Sequence, residues 1–372
     1  MTIPECLLIN PYYFDLADLK IDCLVQSGLI PCIFGCWGHY MQWLGLAKIR
    51  KHWRYIIARW GAYPVIWCMA GEARQPHYSL DDDSPKRLEI ISEQQKKWTE
   101  IATYVRSNDP FKRLITIHPC PGDGSWASKD VLKDSKLFDI DMLQTDHFGK
   151  NILELSLKKL QESLETKPTK PVINSEVCYE GIAGTNWQET QRFLFWSHIL
   201  SGAAGHTYGA EGVWNFKKEM RYENKANFSD THWVEAMSFL GSYQIGLGKK
   251  FLENFEWNKF ESHPEWVIPH WTETDIFLPY CVGIPESTRI IYIPAVYFHL
   301  WDSFKLKEIK IIKIERNINY QAYYFNPRTG ITSEIMDVMP NKSGEWVLPI
   351  SFQSLSPAPT VEDWLLVLES KK

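Results

Sequence analysis

Two apolar runs that start at proline and stop at a carboxylate constrain this chain more than any other feature. They are Pro64-Val65-Ile66-Trp67-Cys68-Met69-Ala70-Gly71-Glu72 and Pro171-Val172-Ile173-Asn174-Ser175-Glu176-Val177-Cys178-Tyr179-Glu180. A short continuous apolar run bounded by turn residues reads as a strand buried on both faces, the kind found in a parallel sheet covered by helices. In a (β/α) barrel the C-terminal ends of such strands carry the reactive side chains. Two carboxylates delivered this way suit the paired-acid chemistry of glycoside hydrolysis.

The rest of the first two thirds repeats the same rhythm. Helical patterns over 16–27, 44–60, up to 105, 153–164 and 187–200 alternate with strand patterns at 30–38, 64–69, 113–118, 140–145, 171–176 and 202–208. Alternation of this kind predicts βαβ units. Asp81-Asp82-Asp83-Ser84-Pro85 reads as a helix start, with acid ahead of proline in a first turn. The expected fold class is α/β, a (β/α)8 TIM-type barrel of which six strand-helix units are visible, followed by a small antiparallel β-sandwich. Expected boundaries are 1–248 for the barrel, 249–273 for a connector and 274–372 for the sandwich. The sandwich strands are expected at 289–293, 308–315, 320–325, 346–350 and 364–368, with Asn326-Pro327-Arg328-Thr329-Gly330 as a tight turn.

Composition narrows the function classes. A net charge of -5 gives no reason to expect nucleic acid or a membrane surface as partner. No segment approaches the ~18 uninterrupted apolar residues of a membrane span. The N-terminus shows no basic stretch followed by an apolar core, so no signal peptide is expected in this chain. The 8 Cys lack zinc-type pairing and read as buried free thiols. With 17 Trp, 17 Tyr and 18 Phe, the chain has aromatic faces enough for a large core and for sugar stacking. No phosphate loop or GxSxG elbow appears, and no cofactor is expected.

For the two carboxylates the expected roles are Glu72 as acid/base and Glu176 as nucleophile. A carboxyl separation of ~5–5.5 Å would retain anomeric configuration, and ~6.5–9.5 Å would invert it. The bland alternatives are a salt bridge from Glu72 to Arg74 and one from Glu180 to Arg192. Further polar groups at strand ends are candidates to bind sugar hydroxyls: His118, Asp146, His147, Glu180, His206 and Tyr208. Trp37, Trp67 and Trp214 are candidate stacking platforms. His118, His147 and His206 lack the spacing of a metal site, so none is expected.

These residues together resemble the apiosidase-like glycoside hydrolases. The likeness rests on residues 30–38 (Ile-Pro-Cys-Ile-Phe-Gly-Cys-Trp-Gly), 65–72, 171–181 and 202–210 (Gly-Ala-Ala-Gly-His-Thr-Tyr-Gly-Ala), and spans nearly the whole chain. It implies a clan-A type (β/α)8 barrel with the acid/base at the end of the fourth strand and the nucleophile at the end of the seventh. Counting the strand at Ile30 as the third places Glu72 and Glu176 at those two ends. Residues 323–330 and 363–368 resemble the family's C-terminal sandwich, which carries the label of a collagen-binding domain. Two departures stand out: the family usually has Asp where this chain has Glu72, and the first two barrel strands are not visible. The reading is a retaining glycosidase acting on an oligo- or polysaccharide of plant or microbial origin, with apiose-bearing pectin as one candidate. The competing reading is a non-catalytic carbohydrate-binding barrel.

Overall fold

The computed structural model describes residues 9–76, 84–148, 151–214, 216, 231–295, 308–348 and 359–371. The chain divides into two compact units, Met1–Asp146 with Glu162–Ser175, and His147–Gln161 with Glu176–Lys372. Among the described residues, no helix is long and apolar enough to cross a membrane.

The first unit alternates helix and strand as the periodicity predicts: α1 (Pro11–Gln26), β1 (Cys32–Phe34), α2 (Tyr40–Trp60), β2 (Ile66–Cys68), α3 (Lys86–Asn108), β3 (Ile115–Thr116), α4 (Ser128–Val131) and β4 (Asp141–Gln144). Strands β1, β2 and β3 form a parallel sheet in that order. Helix α2 turns Ile49, Trp53, Ile56 and Trp60 to one face, and α3 does the same with Trp98, Ile101, Ala102 and Val105. Those spacings of three and four residues put each set on one stripe, and both stripes join the sheet in one core. Gly35 follows β1 because the Trp53 ring fills that space; a Cβ there would lie 2.3 Å from the ring. The expected helix start at Asp81-Asp82-Asp83 lies outside the described residues.

Helix α5 (Ile152–Leu164) and strand β5 (Val172–Glu176) come next. Strand β5 neighbours β4, and Ser175 Oγ donates to the Leu143 carbonyl at 2.5 Å. Then follow α6 (Gln188–Leu200), β6 (Gly205–His206), α7 (Trp233–Ala236) and α8 (Leu240–Leu252). All six expected strands therefore exist in the expected order.

The C-terminal part consists of β7 (Glu261–Ser262), β8 (Val267–Ile268), β9 (Tyr280–Ile284), β10 (Thr288–Ile293), β11 (Lys310–Ile311), β12 (Tyr320–Phe325), β13 (Met336–Asp337), β14 (Trp346–Val347) and β15 (Trp364–Ser370). Six of these make an antiparallel sheet in the order β13-β12-β15-β10-β9-β7, and three make a second sheet, β14-β11-β8. Two expected strands shrink: 308–315 keeps only Lys310–Ile311 as β11, and 346–350 shows β14, with its last two residues outside the described set. Strands β7, β8, β9 and β13 were not foreseen. Strand β9 escapes a hydropathy reading because Gly283 interrupts it. That glycine is needed for close approach, since a Cβ would meet the Thr288 carbonyl oxygen at 2.1 Å and the Trp266 ring at 2.8 Å.

Period-2 alternation explains why β15 is apolar from Trp364 to Leu368. Leu365 and Val367 share a core with Phe193, Leu194, Trp196 and Phe251 of α6 and α8, whereas Leu366 and Leu368 pack with Trp266, Ile311 and Trp346 of the smaller sheet. Strand β10 divides likewise, Ile290 and Tyr292 to the helices, Ile291 and Ile293 to the small sheet. Arg192 of α6 closes the helical side with a bidentate ion pair to Asp363, both bonds 2.8 Å and both side chains almost fully buried.

Candidate active site

At the end of β2, the chain makes a tight interlock with the segment after β1. Trp37 bridges Gly71, and the Gly38 amide donates to the Gly71 carbonyl at 2.7 Å. Both glycines are obligatory by space. A Cβ on Gly71 would sit 2.5 Å from the Trp37 ring, and one on Gly38 would sit 2.2 Å from the Glu72 carbonyl oxygen. Glu72 itself takes φ 44°, the left-handed region that a non-glycine residue enters at a cost of about 1–3 kcal/mol. The Gln75 amide donates to the Glu72 carbonyl, and the His118 segment ties down both flanks: the His118 amide donates to Ala70, and the Ala73 amide donates to His118. The motif spelled Cys-Trp-Gly and Ala-Gly-Glu is thus a steric device that sets the direction of one carboxylate.

His118 is nearly fully buried, its ring 5.7 Å from Phe34. Burial, reinforced by the nearby Glu72 charge, raises the pKa of the Cys120 thiol. Arg74 does not pair with Glu72; its guanidinium takes the carboxylate of Asp123 at 3.1 Å. Trp37 keeps a ring that is over a third exposed. Trp67 corrects the sequence reading: its side chain is wholly buried, edge-on to Trp53, with its indole N–H donating to Asp109 at 2.9 Å. A ring with no open face cannot serve as a sugar platform.

The second carboxylate, Glu176, ends β5 on ordinary extended backbone and is oriented by a side-chain partner instead. His147 Nε2 lies 3.0 Å from Glu176 Oε1, and His147 Nδ1 lies 2.9 Å from the Val177 carbonyl. The ring thus spans the Glu176 carboxyl and the Val177 carbonyl, and the two contacts together fix the orientation of that carboxyl. Asp146, just before, sits at φ 72° and is half-buried. The Tyr179 ring packs on His147 at 4.2 Å, and Trp214, half exposed, lies 6.5 Å from Tyr179. Gly209 leaves room for Tyr179, whose ring a Cβ there would meet at 2.2 Å.

The loop behind Glu176 is fastened to α6. Gln191 Nε2 donates to the carbonyls of Cys178 and Asn186, and Asn186 Nδ2 donates to the His147 carbonyl. Sequence reasoning placed Glu180 against a sugar or against Arg192; the structure does neither. Glu180 is fully buried, accepts from the Tyr208 hydroxyl at 2.6 Å and from the Gly241 amide at 3.0 Å, while Arg192 goes to Asp363. Burial raises the Glu180 pKa and, with the Glu180 bond, that of Tyr208 as well. Both residues belong to a structural clamp. His206 corrects its expected role too. Its two ring nitrogens are buried without a hydrogen-bond partner among the described residues, and the ring sits against Phe195 and His198. Burial lowers its pKa to about 4 and pushes that of His198 well below the usual histidine range.

Two residues of this site escaped sequence reasoning. Tyr179 covers His147, and Glu211, fully buried, accepts from the Trp214 indole N–H at 3.2 Å. The signal was available: Tyr179 lies inside the second carboxylate motif, and Glu211 is an acid enclosed by Ala210 and Gly212. Among the described residues, no group of three His, Cys, Asp or Glu is placed to hold a metal ion.

The fold defines the class. A solved structure titled glycoside hydrolase superposes with TM-score 0.73 at 17% identity, covering 99% of this chain and 79% of that one. A glycoside hydrolase family 5 protein from Bacteroides vulgatus gives TM-score 0.71 at 18% identity, covering 99% and 77%. At such identities the likeness establishes the glycoside hydrolase fold. No curated protein matches the chain. The family follows from sequence: the apiosidase-like catalytic domain matches residues 2–259, well over half the chain, which therefore belongs to the apiosidase-like family of glycosidases.

Proposed function

We propose that this protein is a retaining glycosidase acting on plant or microbial polysaccharide, with apiose-bearing pectin as the first substrate to test. The observation that carries this reading is the 3.0 Å contact between His147 and Glu176 at the end of β5. It fixes one oxygen of the carboxyl and leaves the other for attack on an anomeric carbon. In the first half-reaction Glu176 would form the glycosyl ester while Glu72 gives its proton to the departing oxygen. In the second, Glu72 takes a proton from water, whose oxygen displaces Glu176, so that Glu72 is restored as the acid and Glu176 as the carboxylate. Trp37 and Trp214 are exposed enough to stack on sugar rings, and the half-buried Asp146, next to His147, would bind a hydroxyl. His118, expected to do the same, is nearly fully buried and instead braces the turn that carries Glu72. The C-terminal sheets brace the helices of the second unit.

The test is azide rescue on an aryl glycoside. The Glu72→Ala variant should release a glycosyl azide of retained configuration, and Glu176→Ala one of inverted configuration. Full activity in both variants would sink the assignment.

A further inference from the structure

The second unit holds a cleft of about 350 Å³ that includes none of the residues discussed so far. One wall is a face of α5: Glu154, Leu155, Lys158 and Gln161 recur at helical spacing and line it together with Asn151, just ahead of the helix. The other wall is a tight turn. Thr272 and Asp275 exchange backbone hydrogen bonds, which presents Trp271, Glu273 and Thr274 to the cleft. Trp271 is held in place by stacking on the buried Tyr280, centroids 5.3 Å apart and planes 14° from parallel.

Two donors in this lining are buried yet have no acceptor among the described residues: Trp271 Nε1 and Gln161 Nε2. Buried donors are seldom left unmatched, because each then forfeits its hydration without return. The cleft also carries two carboxylates, Glu154 and Glu273, against one ammonium, Lys158. That balance repels phosphate and uronate. What fits is a group offering acceptor oxygens to the indole and amide, hydroxyl protons to the carboxylates, and an apolar face to Leu155, Ile276 and the indole.

We infer that this cleft binds one or two rings of a neutral, hydroxyl-rich saccharide, at a place separate from the carboxylates that would cleave it. The choice of probes and the role between cuts rest on the proposed function; the binding itself does not. Its role is to hold a polymer on the protein between or during cuts, and the size of the cleft limits it to a short stretch of chain.

The experiment is native affinity electrophoresis in gels containing xyloglucan, arabinan, galactan or polygalacturonate. Retardation should occur with at least one of the three neutral polymers and not with polygalacturonate. Glu176→Gln should be retarded like the wild type although hydrolysis is lost, which separates this site from the proposed catalysis. Trp271→Ala should weaken retardation by about tenfold or more while leaving kcat/KM on an aryl glycoside unchanged. Gln161→Ala, which leaves the Tyr280 stack intact, should weaken it by a smaller factor and guards against a folding defect in the tryptophan variant. The inference is overturned if no neutral polymer retards the protein, if only polygalacturonate does, or if both variants migrate as the wild type. Should Glu176→Gln remain fully active, the proposed function fails and the retardation of these variants still decides the cleft.

Discussion

The ends of β2 and β5 aim a carboxylate by opposite means. At Glu72 the backbone does it: two glycines admit a tryptophan and a neighbouring strand end, and the acid is forced into left-handed φ. At Glu176 the backbone is ordinary and a histidine does it, through a 3.0 Å contact to the carboxyl. Strain stores orientation at one end; a hydrogen bond stores it at the other. The first is sensitive to a single methyl group, the second to the loss of one ring nitrogen.

The largest effect should come from Glu176→Ala. Loss of a nucleophile lowers kcat by about 10⁴-fold or more, measured on an activated aryl glycoside. Glu72→Ala should cost roughly 10²–10⁴-fold. Its penalty should grow as the leaving group becomes more basic, because only a poor leaving group needs the acid. Equal penalties across leaving groups would reverse the two roles.

Acid should destabilise the second unit through a buried histidine. His206 is neutral in the folded protein with a pKa lowered to about 4, against about 6.5 when unfolded. The unfolded chain therefore takes up the proton first as pH falls. Stability is complete above about pH 6.5 and declines toward pH 4, by about 3 kcal/mol from this one residue. Thermal unfolding across that window reads the loss, and His206→Phe should remove only its own share of the slope, since buried His198 supplies a further share of the same sign. A flat profile in the wild type would show that the ring is not held neutral.

Two smaller changes sharpen the contrast of strain against hydrogen bond. His147→Phe keeps a ring on Tyr179 but removes the proton donor. A charge-assisted bond of about 1.5–3 kcal/mol predicts a fall in kcat of roughly 10- to 100-fold with little change in KM. Gly71→Ala must displace Trp37 and should cost about 1–3 kcal/mol in stability, read from chemical denaturation. If that variant keeps both stability and activity, the interlock at the first strand end is looser than its geometry implies.

The six strands were legible because apolar runs of strand length, two of them opened by proline at Pro64 and Pro171, have few other uses; the positions of Glu72 just beyond β2 and of Glu176 at the end of β5 followed from them. The helical stripes of α2 and α3 were legible for the same periodic reason. What a strand-end residue faces was not. Glu176 and Glu180 lie four positions apart with similar neighbours, yet one ends as a candidate nucleophile and the other is walled in by Tyr208 and Gly241. Trp37 and Trp67 differ in the same way. The deciding partners come from distant segments such as α8, whose approach no local pattern encodes. Strand β9 was lost to Gly283, a residue that reads as a breaker in one dimension and as a contact point in three.

The core shared by β15, β10, α6 and α8 has a practical consequence for anyone dissecting this protein. The stretch recognised by sequence ends at residue 259, but the helices within it rest their apolar sides on strands that come later. Expressing residues 2–259 alone would leave Phe193, Trp196 and Phe251 facing water, and would strip Arg192 of Asp363. Such a fragment should aggregate rather than work, because the limit of recognisable ancestry and the limit of autonomous folding fall at different residues.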